Sequence, residues 1–319
     1  MLKKIAECVY QIKLPIPYDL GEVNSYIIEG KKGYTIVDTG DYTEEAIGVW
    51  KQLLSKNQKI EKVVFTHLHL DHMGLVGWFR ENYHAPIWMS RSSYEEKKNI
   101  QSKFIGRRYT SSLGLLFFAN GGPKYAEGDE NYHRYDAYDF EPDYLFEEGE
   151  HIQMGDSDFE CIWTPGHSPD HFAFYNASHQ LLLVGDHILN SLNPIVMAQD
   201  MNENPLELYF HALEKVLQYP TQYVLPGHGD LINHLPNRVE MMKHHYENRW
   251  NQILNILQED GKTAFQISQI IYGKALPLER KMSVFLQTIT NLIYLHSIDK
   301  VVMKQQDGIH YYYAGLENL

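Results

Sequence analysis

Residues 66–72, Thr-His-Leu-His-Leu-Asp-His, place three imidazoles and one carboxylate within six consecutive positions, directly after the apolar run Val63-Val64-Phe65. So short an apolar run reads as a strand, which makes 66–72 the loop that leaves it. Such a loop brings four side chains onto one small volume. His and Asp together suit Zn²⁺, Mn²⁺ or Fe²⁺, whereas a site for soft ions needs thiolates. With seventeen histidines in the chain, chance clustering is the competing explanation. Four potential ligands in six positions after a buried-type strand speak against it.

Ligands need rigid supports, and strand-like runs lie on both sides. Cys8-Val9-Tyr10, Val23 to Ile28 and Tyr34 to Val37, with Gly30-Lys31-Lys32-Gly33 as a hairpin turn, predict an antiparallel meander ending at Asp38-Thr39-Gly40. Thr43 followed by Glu44 and Glu45 starts a helix whose apolar face is Ala46, Val49, Trp50, Leu53 and Leu54. Beyond the histidine loop, Gly74 to Glu81 reads as a helix and Pro86-Ile87-Trp88-Met89 as a strand. This alternation predicts a sheet with helices on a face. In the second half, Phe159–Trp163 leads into Thr164-Pro165-Gly166-His167-Ser168-Pro169. A hairpin of Phe172–Tyr175 and Leu181–Val184 ends at Gly185-Asp186. After a helix from Leu206 to Leu217, Tyr223-Val224-Leu225 runs into Pro226-Gly227-His228-Gly229.

Two stretches break this rhythm. Residues from about 98 to 150 show no clear periodicity, which predicts a substrate-covering insertion or a solvated surface one. The stretch carries Lys103, Arg107 and Arg108. Further on, Tyr125, Tyr132, Tyr135, Tyr138 and Tyr144 alternate with Glu127, Asp129, Glu130, Asp136, Asp139, Glu141 and Asp143. From about Pro236, Val239, Met242, Tyr246, Trp250, Ile253 and Leu257 recur at helical spacing up to Gly261. Thr263 caps a second helix, Leu278 to His296 makes a third, and Val301 to Tyr313 a hairpin turning at Gln305-Gln306-Asp307-Gly308. Three helices and a hairpin form the pattern of a winged-helix module.

Composition narrows the function. A chain of 319 residues with 44% hydrophobic and 22% charged side chains is an ordinary globular protein, long enough for two domains. Its net charge of −13 disfavours non-specific attraction to nucleic acid or anionic lipid. Glu7, Gln11 and Lys13 interrupt any signal-peptide core. The longest apolar run, Leu113 to Ala119, is far below the ~20 residues of a membrane span. Cys8 and Cys161, in no CxxC arrangement, offer neither a disulfide framework nor a thiolate zinc site. A cytoplasmic protein with no membrane partner is expected.

Taken together, His67-x-His69-x-Asp71-His72, His167 in Pro-Gly-His-Ser, Asp186 after Gly185 and His228 in Pro-Gly-His-Gly, with Asp38-Thr39-Gly40, resemble the ordered ligand set of the metallo-β-lactamase-like hydrolase superfamily. The likeness covers residues of about 20–235 and rests on five motifs in the right order. It implies an α+β fold, a four-layer αββα metallo-β-lactamase sandwich over 1–235 with an insertion at about 98–150. A small C-terminal winged-helix domain over 236–319 is expected to wall the pocket or to make a homodimer.

The resemblance also implies two divalent metal ions, zinc by preference, with iron or manganese as alternatives. His67, His69 and His167 would bind one, and Asp71, His72 and His228 the other. Asp186 would bridge them, because two neighbouring cations need anions between them. Asp38 and Thr66 would orient the ligands from behind. Metal lowers the pKa of bound water to about 7, so a dinuclear-metal-bound hydroxide is the expected nucleophile. Asp71, bound through one oxygen, is also a candidate catalytic proton carrier to the leaving group. Antibiotic-degrading members typically have Cys where Asp186 stands, and flavin-coupled di-iron members have Glu where His69 stands. Glyoxalase II-type thioesterases and RNA-processing members share the Asp-bridged pattern. Asp170-His171 departs from the more usual Gly-His of the family, so His171 is taken as structural.

Hydrolysis of a small ester, thioester or lactone is therefore the expected activity, with a small-molecule substrate as partner. The alternative is a metal-dependent endoribonuclease acting on single-stranded RNA, suggested by the tail. The third helix of that tail begins with only Arg280 and Lys281 before running apolar and neutral, which counts against nucleic acid. A non-enzymatic module on a dead hydrolase fold is disfavoured because every ligand is present. No substrate-binding residue is assigned, although Arg107 and Arg108 could pair with a carboxylate or phosphate.

Overall fold

A computed structural model describes residues 2–105, 109–123, 135–258 and 260–315, with the side chains of 103–105, 109–112 and 135–136 left aside. Arg107, Arg108, Tyr125, Glu127, Asp129, Glu130 and Tyr132 of the insertion lie outside the described residues, as do the side chains of Lys103, Tyr135 and Asp136. The chain divides into two compact units. One comprises Met1–Gln101, Tyr132–Pro194 and Ala212–Arg238; the other comprises Ser102–Asn131, Ile195–His211 and Val239–Leu319.

The first unit opens with β1 (Lys3–Ala6), β2 (Val9–Pro15), β3 (Glu22–Gly30) and β4 (Gly33–Val37). These pair antiparallel in sequence order, the meander expected from the alternating runs. Next come α1 (Glu44–Leu53), β5 (Ile60–Val64), the single turn α2 (Leu70–Met73), α3 (Val76–Tyr83), β6 (Ile87–Ser90) and α4 (Arg91–Ile105). α5 (Tyr109–Ala119) lies in the second unit, and β7 (Tyr144–Phe146) completes a seven-stranded sheet in which β4 to β7 run parallel. A five-stranded sheet follows, built from β8 (His151–Met154), β9 (Ser157–Trp163), β10 (Phe172–Asn176) and β11 (Leu181–Gly185), then α6 (Pro205–Val216) and β12 (Tyr223–Pro226). Its order is β12-β11-β10-β9-β8, with β11 and β12 parallel.

Side-chain alternation decides how these layers stack. Ile28, Val37 and Val64 point from the first sheet into a core shared with Phe159, Cys161, Phe174, Leu183 and Leu225 of the second. Their neighbours Ile27, Ile36 and Val63 point the other way, against Trp50 of α1 and Phe79 of α3. Every residue of β11 is buried, as a continuously apolar inner strand should be. Thr43 accepts the Ala46 amide at 3.1 Å to cap α1, and the Trp50 indole donates to the Thr39 carbonyl at 2.9 Å. That bond fixes the loop beyond β4 to the helix layer.

In the second unit, α7 (Leu235–Ile256) from Val239 onward is joined by α8 (Ala264–Tyr272), α9 (Leu278–Ser297) and the hairpin β13 (Val301–Gln306) and β14 (Ile309–Ala314). Ile253, Leu257, Ile267, Phe285, Ile289 and Tyr312 form its core with Leu116 and Phe117 of α5. The hairpin turns on two residues, Asp307 and Gly308, at φ of 50° and 80°. Asp-Gly in a left-handed pair matches the strand twist, so the turn is tighter than the four residues expected. Among the described residues no helix is long and apolar enough to cross a membrane.

The stretch from 98 differs from its expected irregularity, because α4 and α5 are both regular helices. α4 buries Ser93 and Lys97, so polar residues occupy its inward face and no apolar stripe shows. α5 is apolar nearly all round, which hides its period equally.

Candidate metal centre

Every expected ligand stands just past a strand end. His67, His69, Asp71 and His72 follow β5, His167 follows β9, Asp186 follows β11, and His228 follows β12. The strands β9 to β12 and β5 belong to two different sheets, and their ends meet at one edge of the sandwich.

Among the described residues three groups bring ligand atoms within 4.8 Å of one another: His67, His69 and His167; His67, His72 and Asp186; Asp71, His72 and His228. In the first, His69 Nδ1 lies 2.9 Å from His67 Nε2 and 3.1 Å from His167 Nε2. In the last, His228 Nε2 lies 3.2 Å from Asp71 Oδ2, and His72 Nε2 lies 3.8 Å from the same oxygen. Asp186 reaches both groups, with Oδ1 3.4 Å from His72 Nε2, and Oδ2 3.4 Å from His228 Nε2 and 3.6 Å from His167 Nε2. All seven residues singled out from the sequence are therefore brought together.

Groups behind the ring nitrogens fix which atom faces inward. Asp38, at φ 58° in the left-handed region that Asp tolerates, accepts the Thr66 amide at 2.8 Å and the Thr66 hydroxyl at 3.0 Å. Its Oδ2 also takes His72 Nδ1 at 2.8 Å, which leaves His72 Nε2 bare toward the cluster. Because the Thr66 hydroxyl donates to Asp38, it accepts from His67 Nδ1 at 2.9 Å, and His67 too presents Nε2. The Glu22 carbonyl accepts from His228 Nδ1 at 2.7 Å with the same consequence. Asn24 holds that loop by donating to the Pro226 and Gly229 carbonyls, both at 2.9 Å. Asp38 and Thr66 thus stand behind His72 and His67.

These atoms suit a cation better than they suit each other. His72 Nε2, His228 Nε2 and Asp186 Oδ1 are buried and make no hydrogen bond, although each lies close to the others. Burial lowers the His67 pKa well below its ordinary 6.5, and the surrounding imidazoles add to this, so its Nε2 offers a lone pair. Burial would also lower His72, but Asp186, Asp71 and Asp38 outweigh it and raise the pKa well above 6.5. For His228 burial is likewise overcome, by the Asp186 and Asp71 carboxylates beside it, and the pKa rises to about 9. Burial pushes the carboxyls up, yet His72 and His228 bring Asp71 down to about 2 and Asp186 well below 3.8. Inward-facing ring nitrogens beside two anionic carboxylates form a donor set for borderline divalent cations, which would replace the protons on His72 and His228.

Two glycines make this convergence possible. A Cβ on Gly227 would run into Asp186 Oδ1, and one on Gly185, at φ 48°, would come within 2.6 Å of His171 Nε2. His171 is buried, and its Nε2 accepts the Asp186 amide at 3.1 Å while Nδ1 meets the Thr164 hydroxyl at 2.7 Å. It is structural, as expected, but its support acts on Asp186. Asn24 and the Glu22 carbonyl carried no sequence signal, being a strand residue and a backbone atom. Asp170, whose role emerges only in three dimensions, had a signal in its departure from Gly.

Two acidic residues of the insertion, Glu141 and Asp143, are paired with cations of the fold. Glu141 lies 3.4 Å from Lys97 Nζ, and Asp143 pairs with Arg80 and accepts the Ile87 amide at 2.8 Å. They bind the insertion to the fold, so no free acidic face is made by them.

The model of the Metallo-beta-lactamase superfamily matches residues 18–228. The chain belongs to that superfamily. It is 28% identical over 282 residues to the Probable metallo-hydrolase YqjP of Bacillus subtilis (strain 168), covering 83% of this chain and 85% of that protein. To the Beta-lactamase-like protein 2 homolog of Caenorhabditis elegans it is 25% identical over 277 residues, with 85% and 79% covered. A beta-lactamase domain protein from Burkholderia ambifaria shares the fold at a TM-score of 0.85 with 22% identity, covering 98% of this chain and 93% of that one. A metallo-beta-lactamase family protein from Thermus thermophilus does so at 0.80 with 24% identity, covering 98% and 100%. The superfamily implies a hydrolase that uses divalent metal ions, and the residues just described fit them.

Proposed function

We propose that the chain is a dinuclear metal hydrolase of the Asp-bridged, glyoxalase II-like kind, acting on a small ester, thioester or lactone. The observation that carries this reading is the pairing of Asp186 oxygens with histidines of both ligand groups at 3.4–3.6 Å. His67, His69 and His167 would hold one cation and Asp71, His72 and His228 the other, with Asp186 placed between the two groups. When bound, the cations supply Lewis acidity and a nucleophilic water near neutral pH. Asp38 and Thr66 keep the ring nitrogens bare and aimed inward, so the protein reorganises little as charge develops. Asp71, less buried than Asp186, would carry a proton to the leaving group. Zinc is the proposed metal. The helices of the second unit with their terminal hairpin are read as a winged-helix extension, with a packing or dimer-forming role.

The test is elemental analysis of protein purified without added metal, followed by a screen of thioester, lactone, phosphodiester and RNA substrates. Two equivalents of zinc, with turnover in the thioester or lactone arm that a chelator abolishes, are expected. RNA cleavage alone would overturn the substrate class. Metal-free protein that is fully stable and hydrolyses nothing would overturn the enzyme reading.

A further inference from the structure

We propose that Asp170 is the positioning residue for the three-histidine half of the centre, joining the loop of His67 and His69 to the loop of His167. The proposal rests on the reading that these three imidazoles share one cation. The two loops leave strands of different sheets, β5 and β9. Without a direct tie, the separation of His69 and His167 would follow every adjustment of one sheet on the other. A cation tolerates misplacement of only about half an ångström.

One backbone bond spans the two loops, from the Phe172 amide to the Thr66 carbonyl at 2.8 Å; Asp170 supplies the side-chain tie next to the ligands themselves, from a position 1% exposed. Its Oδ2 accepts the amide of Leu68, the residue between His67 and His69, at 3.0 Å. Its Oδ1 accepts the hydroxyl of Ser168, which follows His167. A third donor, Ser93 Oγ at the start of α4, reaches Oδ2 at 2.8 Å and is itself held by the Ser90 hydroxyl at 2.7 Å. The Leu68 peptide is gripped from its other end too, since the Tyr138 hydroxyl donates to its carbonyl at 3.3 Å. Asp170 touches no residue of the Asp71, His72 and His228 group. Asp38, by contrast, touches His72 directly and His67 through Thr66. The two buried carboxylates therefore divide the support of the centre unequally.

Zinc titration of chelator-stripped full-length protein, read by chromophoric-chelator competition, tests this with Asp170→Asn and Ser93→Ala. Ser93→Ala withdraws a support of Asp170 without altering either ligand loop, and it serves if Asp170→Asn folds poorly. Wild type is expected to take up two equivalents. Each variant should bind one of them about 10–100-fold more weakly, the usual effect of removing a group behind a ligand, and the other unchanged. The Co²⁺-substituted protein should show an altered visible spectrum for the weakened site only. Two equivalents at wild-type affinity in both variants would overturn the proposal alone. Equal weakening of both equivalents, with a matching drop in Tm of the metal-free protein, would reduce Asp170 to a general structural role. Wild-type uptake of fewer than two equivalents would instead overturn the dinuclear reading, and this proposal with it.

Discussion

His72 and His228 stand beside carboxylates, whereas burial dominates at His67, His171 and His187, and the pKa values of the two sets shift in opposite directions. Burial lowers His67 and His171 well below 6.5 and His187 to about 3. The unfolded chain therefore binds protons that these three refuse, and their neutral burial stabilises fully above pH 6.5 and less as pH falls toward 3. His72 and His228 are raised, the latter to about 9, so their contribution is complete below 6.5 and fades as pH rises to 9. Metal-free protein is accordingly expected to be most stable near pH 6.5. Added zinc should remove the decline on the alkaline side, because a bound cation takes the place of the protons on His72 and His228. Urea midpoints measured from about pH 4 to 9, with and without chelator, check this. An alkaline limb unchanged by zinc would contradict the assignment of these two histidines.

Among elements, α8 shows local sequence and observed structure agreeing. Thr263 Oγ1 accepts the Gln266 amide at 3.2 Å, and the Gln266 side chain returns a bond to the Thr263 amide at 2.9 Å. Thr263→Ala should cost about 0.5–2 kcal/mol, read as a lowered denaturation midpoint with zinc stoichiometry unchanged. The same local legibility made α1 plain through Thr43, Glu44, Glu45 and its apolar face. It failed for α4 because the inward positions are Ser93 and Lys97, whose burial is stabilised by bonds to Asp170 and to the Phe140 carbonyl. Those partners lie more than forty residues away along the chain, beyond any local pattern.

For the whole molecule, the charge of −13 sets the expected response to salt. Turnover of a small ester or thioester should change little between about 50 and 200 mM salt, while a nuclease contacting several phosphates would lose orders of magnitude in affinity. A steep salt dependence would revive the nucleic-acid reading. Determined by the sequence itself are the chemistry of the centre and its place at strand ends. His67, His69, Asp71 and His72 follow one strand closely, and glycines mark the turns before Asp186 and His228. Ligand types and strand ends are local properties, legible in short windows of residues. Left to the tertiary structure was everything that joins distant windows: which oxygen of Asp186 faces which histidine, and that His171 steadies Asp186. It also decided that Asp170 ties two loops a hundred positions apart, because those bonds arise only when two sheets close on a common core.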